Sequence, residues 1–312
     1  MNSFIDMVTD PFMQRSLLAA AIVGLTAPIM GTYLVQRRLS LLGDGIGHVA
    51  LTGVALGWMV GSAMNLVQRD ALAIPGAIVA AIAGALAIEY VRERGRTSGD
   101  VALAMLFYSG IAGGVVLISI AGGTNANLMG YLFGSITTVT DLDLAMILGL
   151  GALIFAVGFG LRAVLFAVSN DEEFARASGL PVRTANIAIA IVAALTVTVS
   201  MRVVGLLLVS AIMIVPVAAA QQVATTFKST MLTAMGIGVT VAVGGLSITW
   251  VHQLSPGATI VLLAVAAYLL ALVVRSFLNK RHTPGDPHPD LPDDVQLSAA
   301  TPQQTRSEPC NE

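Results

Sequence analysis

Charged side chains are scarce in this chain of 312 residues. Asp, Glu, Lys and Arg together make up 11% of it, whereas a typical soluble domain carries about 25% charged residues. Hydrophobic residues make up 56%, and the mean hydropathy is +0.83. A chain this apolar cannot cover a surface that faces water, which excludes a soluble enzyme, a nucleic-acid-binding protein and a disordered scaffold. The composition predicts a protein embedded in a lipid bilayer.

Cysteine and lysine are nearly absent, and each absence excludes a kind of site. The one cysteine, Cys310, lies in a polar tail, which excludes a disulfide framework and a cysteine-rich metal cluster. Of the two lysines, only Lys228 precedes a serine, and Phe227 stands before it where a phosphate-binding loop needs glycine. The HExxH and GxSxG motifs are also missing. The sequence therefore predicts a protein that has no nucleotide-binding motif and is not itself an enzyme.

Long apolar runs predict the membrane spans. A helix needs about 20 apolar residues to cross roughly 30 Å of hydrocarbon, because each residue rises about 1.5 Å along the axis. Helices are required, because an open strand would leave its amides unpaired in lipid. The predicted fold class is therefore all-α, a polytopic transmembrane helix bundle of eight or nine spans. The candidate spans are about 13–35, 42–63, 71–91, 101–121, 142–166, 184–201, 204–223, 229–250 and 257–278.

The Lys and Arg residues between the spans predict the orientation, because cytoplasmic loops are enriched in them. With the N-terminus outside, twelve of these residues fall on the cytoplasmic side and three on the outer side. We therefore expect a multi-pass protein of the plasma or inner membrane, with its C-terminus in the cytoplasm. The cytoplasmic set is Arg37, Arg38, Arg92, Arg94, Arg96, Arg162, Arg176, Arg183, Lys228, Arg275, Lys280 and Arg281, and the outer set is Arg15, Arg69 and Arg202.

The end of the chain has a different composition. In residues 282–312, six acidic residues oppose one base, Arg306, and six prolines occur among few aliphatic side chains. Such a segment cannot bury enough apolar area to offset the entropy lost on ordering. The predicted organisation is a transmembrane domain, 1–281, followed by a disordered, acidic, proline-rich cytoplasmic tail, 282–312, whose expected role is to solubilise that end.

Two features interrupt the regular alternation of spans and turns. Residues 122–141 mix glycine, asparagine and threonine, which predicts an outer loop with a short helix, either lying at the surface or re-entrant. Pro216 lies within the seventh predicted span, where it removes one backbone hydrogen bond. It marks either a hinge or a simple bend.

A charged cytoplasmic insertion follows the fifth predicted span. Asn170 or Asp171 is placed to cap a helix of one or two turns. Glu172 and Glu173 in its first turn are favourable against the helix dipole, and Gly179 predicts its end. The insertion is longer than a connection requires, although an ordinary capped loop helix would explain the spacing equally well.

Asp44 and His48 are the most informative polar residues inside the spans, because an ionised group at mid-bilayer costs a few kcal/mol or more. On a helix, residues four apart share one face. If the turn at 37–38 marks the inner surface, the rise per residue places Asp44 roughly 9 Å deep and His48 roughly 15 Å deep. A carboxylate oxygen and an imidazole nitrogen suit Zn²⁺, Mn²⁺ or Fe²⁺. The pair therefore predicts a metal or proton pathway.

The alternative is structural: Asp44 caps the second span and His48 satisfies it locally. Two ligands from one chain make a poor closed metal site. Two copies of the chain across a twofold axis would supply two carboxylates and two imidazoles, which favours a homodimer. Glu89, beside Arg92, is expected to form only an interfacial ion pair.

At these residues the sequence resembles a known family. RRLSLLGD at 37–44, followed by His48, Leu51 and Gly53, resembles the R-R-x-S-x-x-G-D-x-x-x-H-x-x-L-x-G signature of the ABC-3 family. The members of this family are membrane permeases of ABC importers for manganese, zinc and iron. The resemblance runs from about residue 10 to 278. Further stretches that are similar, in the same order, are YLFG at 131–134, the insertion at 171–179, Gly205-Leu206-Leu207 leading to Pro216, Ala218 and Ala219, and SPG at 255–257.

The resemblance implies a type II importer fold and a homodimeric or closely paired membrane unit. It also implies two cytoplasmic ATPase subunits, which hydrolyse the ATP, and an extracytoplasmic metal-binding lipoprotein. The metal-pathway residues of the family map onto Asp44 and His48. The coupling helix maps onto 171–179, with contacts to the ATPase assigned to Asp171, Glu172, Glu173, Ala175 and Gly179.

One departure concerns the helix that carries the pair. Gly45 and Gly47 each weaken a helix by about 1 kcal/mol relative to alanine. A local unwinding there would aim backbone carbonyls at the ion, and Asp44 and His48 would then no longer be stacked one turn apart.

The sequence thus predicts the permease subunit of an ATP-driven importer of divalent metal, with the metal as cargo and no permanently bound cofactor. The alternative is an ion-coupled secondary transporter in which Asp44 and His48 relay protons or ions. An intramembrane hydrolase would need a second catalytic group at the depth of Asp44, and the sequence offers no convincing candidate. The metal remains open among Zn²⁺, Mn²⁺ and Fe²⁺.

Overall fold

The computed structural model describes residues 9–64, 72–94, 99–121, 130, 132–134, 140–252 and 254–279. Within these ranges the regular structure is helical, and no strand is present. The helices are α1 Pro11–Gln36, α2 Leu42–Ala63, α3 Ala73–Arg94, α4 Gly99–Ile120, α5 Asp141–Gly160, α6 Arg162–Asn170, α7 Glu172–Ala177, α8 Val182–Val204, α9 Leu206–Val223, α10 Phe227–Val251 and α11 Pro256–Asn279.

Eight of the described helices are long and apolar enough to cross a membrane, namely α1 to α5, α8, α10 and α11. The predicted all-α bundle of eight or nine spans is therefore confirmed. The seventh predicted span corresponds to α9, an 18-residue helix whose apolar stretch is Leu208–Val223. It is shorter than its neighbours α1, with 26 residues, and α10, with 25.

The predicted span at 142–166 is present but was placed too long by six residues at its end. Helix α5 ends at Gly160, Leu161 forms its C-cap, and the separate helix α6 begins at Arg162. A guanidinium group is costly in hydrocarbon, so a helix end just before Arg162 keeps that side chain out of the span.

Polar residues set the ends of several helices. Asp10 accepts hydrogen bonds from the backbone N–H groups of Phe12 (2.8 Å) and Met13 (3.3 Å), and Pro11 occupies the first turn of α1. Capping boxes begin α5 at Thr140 and α10 at Thr226. These side chains satisfy backbone donors that a helix start leaves unpaired.

Helices α1, α2 and α8 form the centre of the bundle. In an apolar 18-residue stretch of α1, α2 and α8, the buried share is 72%, 61% and 78%, respectively. The buried share is 22% for the corresponding stretches of α4 and α11. Lipid offers no hydrophobic drive for helix association, so close contacts depend on small residues. A Cβ at Gly53 of α2 would lie 2.3 Å from the carbonyl oxygen of Gly76 in α3. Glycine thus allows the backbones of α2 and α3 to come close together, and α2 lies deep in the protein.

The chain divides into two units, 1–275 and 276–312. The helices described above belong to the first unit, apart from the last residues of α11. The predicted disordered tail at 282–312 lies outside the described residues, so the boundary predicted at 281 stays an expectation.

Candidate metal pathway and coupling helix

Asp44 and His48 lie in the first two turns of α2, which begins at Leu42. The N-cap residue is Leu41, and no side chain caps this helix. Asp44 is half-buried, and His48 is 5% exposed. The alternative that Asp44 serves as the cap of α2 is therefore not what the structure shows.

The carboxylate of Asp44 contacts another helix. Ser210 of α9 donates a hydrogen bond from its Oγ to Oδ1 of Asp44, at 2.5 Å. Ser210 is 166 positions away from Asp44 and was not among the residues predicted for the site. The signal that could have found it is that Ser210 is a lone hydroxyl in the apolar run LLLVSAIMIV at 206–215.

The imidazole of His48 lies in an apolar setting. The ring of Phe107, from α4, meets it edge-on, with the ring centroids 4.4 Å apart and an interplanar angle of 79°. Among the described residues, no hydrogen-bond partner reaches the buried Nδ1 of His48. A buried polar atom without a partner is uncommon in proteins and requires an explanation. A nitrogen available to a passing cation is such an explanation.

Helix α2 continues through Gly45 and Gly47, so the alternative of a local unwinding is not what the structure shows. Neighbouring side chains occupy the space that a Cβ would take. A Cβ at Gly47 would lie 3.2 Å from Leu206 Cδ1, and one at Gly45 would lie 3.4 Å from Leu106 Cδ2. The two glycines therefore let α9 and α4 approach α2, and Asp44 and His48 keep their one-turn stacking.

The donors of one chain do not complete a metal site. In the ranges that the structure describes, no group of three or more His, Cys, Asp or Glu residues lies close enough to hold a metal ion. To hold a metal ion, Asp44 and His48 would need further ligands, as expected from the sequence. A hydroxyl, water or a second chain would have to supply them.

The short charged helix is present as the spacing predicted. Helix α7 begins after Asp171, whose Oδ1 accepts a hydrogen bond from the backbone N–H of Phe174 at 2.9 Å. The turn ends at Gly179, where φ is +77°, and the N–H of Leu180 donates to the carbonyl oxygen of Ala175 at 3.0 Å. Ala175 is fully buried, whereas Phe174 is 68% exposed. Helix α7 therefore anchors one side in the protein and offers an aromatic ring on the other.

Glu172 connects α7 to two other elements. Its carboxylate lies 3.2 Å from Arg176 and 3.9 Å from Arg37, and it accepts a hydrogen bond from Nδ2 of Asn186 at 3.4 Å. Arg37 ends α1 and lies in the turn before α2, and its side chain is only 5% exposed. The helix that carries Asp44 is thus tied to α7 through this turn.

A second ion pair extends this group of charges. Glu89 and Arg92 of α3 lie 2.9 Å apart, and Glu89 is 6% exposed, so the predicted pair is present but enclosed. Burial lowers the pKa of Arg37, and so does the charge of Arg92, while Glu89 and Glu172 oppose that shift. We refer to Arg37, Glu89, Arg92, Glu172 and Asn186 as the charged cluster.

A cavity of about 680 Å³ opens beside the charged cluster. Its walls come from the ends of α3 and α8 and from α7. The acidic and basic side chains that line it are Glu89, Arg92, Glu93, Glu172, Arg176 and Arg183. The α1–α2 turn, the end of α3, α7 and the start of α8 therefore meet at one end of the bundle.

Three of the motif stretches meet at another place. A Cβ at Gly205, which separates α8 from α9 and has a φ of +87°, would lie 2.3 Å from the backbone of Phe133 and Gly134. A Cβ at Gly257 would lie 3.1 Å from the carbonyl oxygen of Phe133. Of the predicted outer loop at 122–141, the structure describes 130, 132–134 and 140–141, and Tyr131 lies outside the described residues.

Helix α9 continues on both sides of Pro216, which occupies its interior. The break in this part of the chain is at Gly205, where α8 ends and α9 begins. The hinge role predicted for Pro216 stays a prediction.

In the part of the chain that the structure describes, a helical bundle carries on a central helix a carboxylate and an imidazole whose Nδ1 has no partner, which is typical of a membrane transport protein. Residues 9–275 match the family described as the ABC 3 transport family, and the chain belongs to that family. It is a membrane permease of the kind found in ABC-type metal importers. The ion-coupled secondary transporter is not favoured by this membership.

Similar proteins cover nearly the whole chain. The manganese transport system membrane protein MntC of Halalkalibacterium halodurans is 30% identical over 268 residues, which is 86% of this chain and 89% of that protein. The chelated iron transport system membrane protein YfeD of Yersinia pestis is 28% identical over 277 residues, 88% of this chain and 90% of that one. The solved structure of PsaBC from Streptococcus pneumoniae in complex with Fab superposes with a TM-score of 0.78, at 29% identity, over 90% of this chain and 99% of that one.

Proposed function

We propose that this permease carries a divalent metal ion past Asp44 and His48. The observation that supports this role is the buried, unpartnered Nδ1 of His48, which lies one helical turn from the Asp44 carboxylate on an enclosed helix. An imidazole nitrogen and a carboxylate oxygen bind Mn²⁺, Fe²⁺ and Zn²⁺. The names of the relatives favour manganese or iron as the cargo.

Two copies of the chain complete the pathway in this proposal. One chain offers two ligands, and a closed site needs about four. A twofold axis beside α2 would bring two carboxylates and two imidazoles together. Affinity for the metal would then rise when the two α2 helices converge and fall when they separate.

ATP hydrolysis belongs to partner subunits in this proposal. Two cytoplasmic ATPases bind at α7, where Asp171, Glu172, Glu173, Ala175 and Gly179 form the capped helix, and an extracytoplasmic lipoprotein delivers the metal. The N-terminus then lies outside the plasma or inner membrane and the C-terminus in the cytoplasm. The contact between Glu172 and Arg37 supports a route from α7 to the turn that precedes Asp44. Pro216 is the hinge of α9 in this scheme.

Uptake of radioactive Mn²⁺ and Fe²⁺ tests the role of the pair. We expect Asp44→Asn and His48→Ala each to reduce uptake by roughly tenfold or more, because each change removes a direct ligand. The amount of permease in the membrane and its co-purification with the ATPase should stay unchanged.

Matched controls are available in the same chain. Asp141→Asn removes an exposed carboxylate, and His252→Ala removes an exposed imidazole at the end of α10. Both controls should leave uptake intact. Normal metal accumulation in both Asp44→Asn and His48→Ala would defeat the proposed pathway.

A further inference from the structure

One stripe of α9 faces the start of α2. Leu206, Ser210 and Met213 occupy positions i, i+4 and i+7, which share one face of a helix. A Cβ at Gly47 would touch Leu206, and a Cβ at Gly43 would lie 2.4 Å from Met213 Cε and 3.7 Å from Ser210 Cβ. On the α9 side of this contact, Ser210 is therefore the polar residue between the apolar Leu206 and Met213.

The place of Ser210 in this contact is set by α2. Gly43 leaves room for α9 beside Asp44, and the hydroxyl of Ser210 donates its hydrogen to Oδ1 of the carboxylate. A hydroxyl oxygen also has two lone pairs that can accept a hydrogen bond or bind a cation. A cation held by the other carboxylate oxygen of Asp44 can therefore face a lone pair of Oγ while the hydroxyl hydrogen stays on Oδ1.

We propose that Ser210 is a specificity-determining residue of the metal pathway, an oxygen ligand from α9 that joins Asp44 and His48. This inference rests on the proposed function of that pair. Oxygen donors favour Mn²⁺, whereas Zn²⁺ prefers nitrogen and sulfur donors. Two oxygens and one nitrogen from each chain thus bias the pathway toward Mn²⁺ over Zn²⁺.

The position of α9 agrees with a ligand that comes and goes. Gly205, with a positive φ, separates α9 from α8, so the two helices are not one continuous rod. A shift of α9 along α2 would change the distance from Ser210 to Asp44 without breaking either helix. The distance from this hydroxyl to Asp44 therefore depends on the relative position of α9 and α2 at the point where the metal passes.

The test is competition between two metals in cells that make the permease with its ATPase and binding protein. Uptake of radioactive Mn²⁺ is measured at increasing concentrations of Zn²⁺. The result gives, for each variant, the ratio of its preference for Mn²⁺ to its preference for Zn²⁺. The same binding protein delivers the metal in every case, so a change of this ratio between variants arises in the permease.

Three substitutions separate the chemistry of the side chain from its packing. Ser210→Ala should shift the preference from Mn²⁺ toward Zn²⁺ by about tenfold, because an oxygen ligand is lost. Ser210→Cys should shift it further, because a thiolate favours Zn²⁺. Ser210→Thr keeps a hydroxyl and should retain the ratio of the natural chain.

Ser200 of α8 provides the matched control. It is a buried serine, 1% exposed, and its Oγ has no hydrogen-bond partner among the described residues. Ser200→Ala should leave the ratio unchanged. An unchanged ratio in Ser210→Ala and Ser210→Cys would overturn the proposal even if the uptake rate fell, because a lower rate alone would indicate a packing role. If Ser210→Ala does not reach the membrane, Ser210→Cys and Ser210→Thr decide.

Asp44→Asn separates the failure of this inference from the failure of the proposed function. If Asp44→Asn abolishes uptake while the Ser210 variants keep their metal preference, only the role of Ser210 is wrong. If Asp44→Asn transports normally, the pathway itself is wrong.

Discussion

The charged cluster and the Asp44–His48 pair place ionisable groups inside the same bundle in opposite ways. In the charged cluster, Glu89 has a partner at 2.9 Å, and Glu172 has partners on α7 and α8. In the pair, within the described ranges, the buried Nδ1 of His48 has no partner, and Asp44 accepts a hydrogen bond from the neutral hydroxyl of Ser210. Paired charges stabilise contacts between helices, whereas polar atoms without a protein partner are available to bind a ligand.

The largest expected effect on stability is in the charged cluster. Glu89 lies 2.9 Å from the guanidinium group of Arg92, and its negative charge also acts on Arg37. Glu89→Gln removes the negative charge that opposes these two cations in an enclosed place, which should cost about 3 kcal/mol. The measurement is the thermal unfolding midpoint of the purified permease in detergent.

The comparison predicts the opposite behaviour for Asp44. Asp44→Asn should change the same midpoint little, because the amide oxygen can still accept the hydrogen bond from Ser210, while uptake is lost. If Asp44→Asn and Glu89→Gln lowered the midpoint equally, the distinction between matched and incomplete groups would not hold.

The next effect concerns the end of α7. Gly179 has a φ of +77°, a region that disfavours residues with a Cβ. A Cβ there would meet no atom within 4 Å, so the cost of Gly179→Ala is one of backbone conformation, about 1–2 kcal/mol. We expect the ATPase to co-purify less well with this variant. Gly236→Ala, in the interior of α10, also has open space and should leave co-purification unchanged.

A smaller effect is expected at the start of α7. Asp171→Ala removes the side chain that accepts the N–H of Phe174, a loss of about 1 kcal/mol. Hydrogen exchange at the α7 amides should therefore accelerate about fivefold, because 1.4 kcal/mol corresponds to a factor of ten. Exchange in α2 should not change, and equal acceleration there would mean that the two regions open together.

The smallest effect is expected at an exposed pair. Arg15 and Asp141 lie 2.9 Å apart, with side chains that are 36% and 76% exposed. Water screens such a pair, so Asp141→Asn should cost about 0.5 kcal/mol or less. A larger shift of the unfolding midpoint would show that burial does not explain why this pair contributes less to stability than the charged cluster.

The sequence predicts what depends on local spacing. Apolar runs of sufficient length predict the eight long helices, Asp171 and Gly179 predict the ends of α7, and the four-residue spacing places Asp44 and His48 on one face. Each of these features depends on residues within a few turns of each other, so the pattern along the chain contains the information.

Contacts between distant helices do not leave such a pattern. Ser210 contacts Asp44, which is 166 positions away in the sequence. Phe107 contacts His48 from α4, a helix whose apolar residues are spread over all of its faces. From helix propensity alone, Gly45 and Gly47 are expected to weaken α2, whereas in the structure Leu106 and Leu206 fill the space beside them. Tertiary packing overrides helix propensity at these two positions.

The meeting of backbones at Gly205 has a consequence for how this chain can change. Because no side-chain atom separates Gly205 from Phe133 and Gly134, a methyl group added there would push two distant segments apart at once. The start of α11 at Gly257 adjoins the same spot, so enlarging any one of these sites requires shifts at the others. Substitutions at these positions are therefore expected to be tolerated only in combination. A directed-evolution library that varies one of these positions at a time should return the original residues.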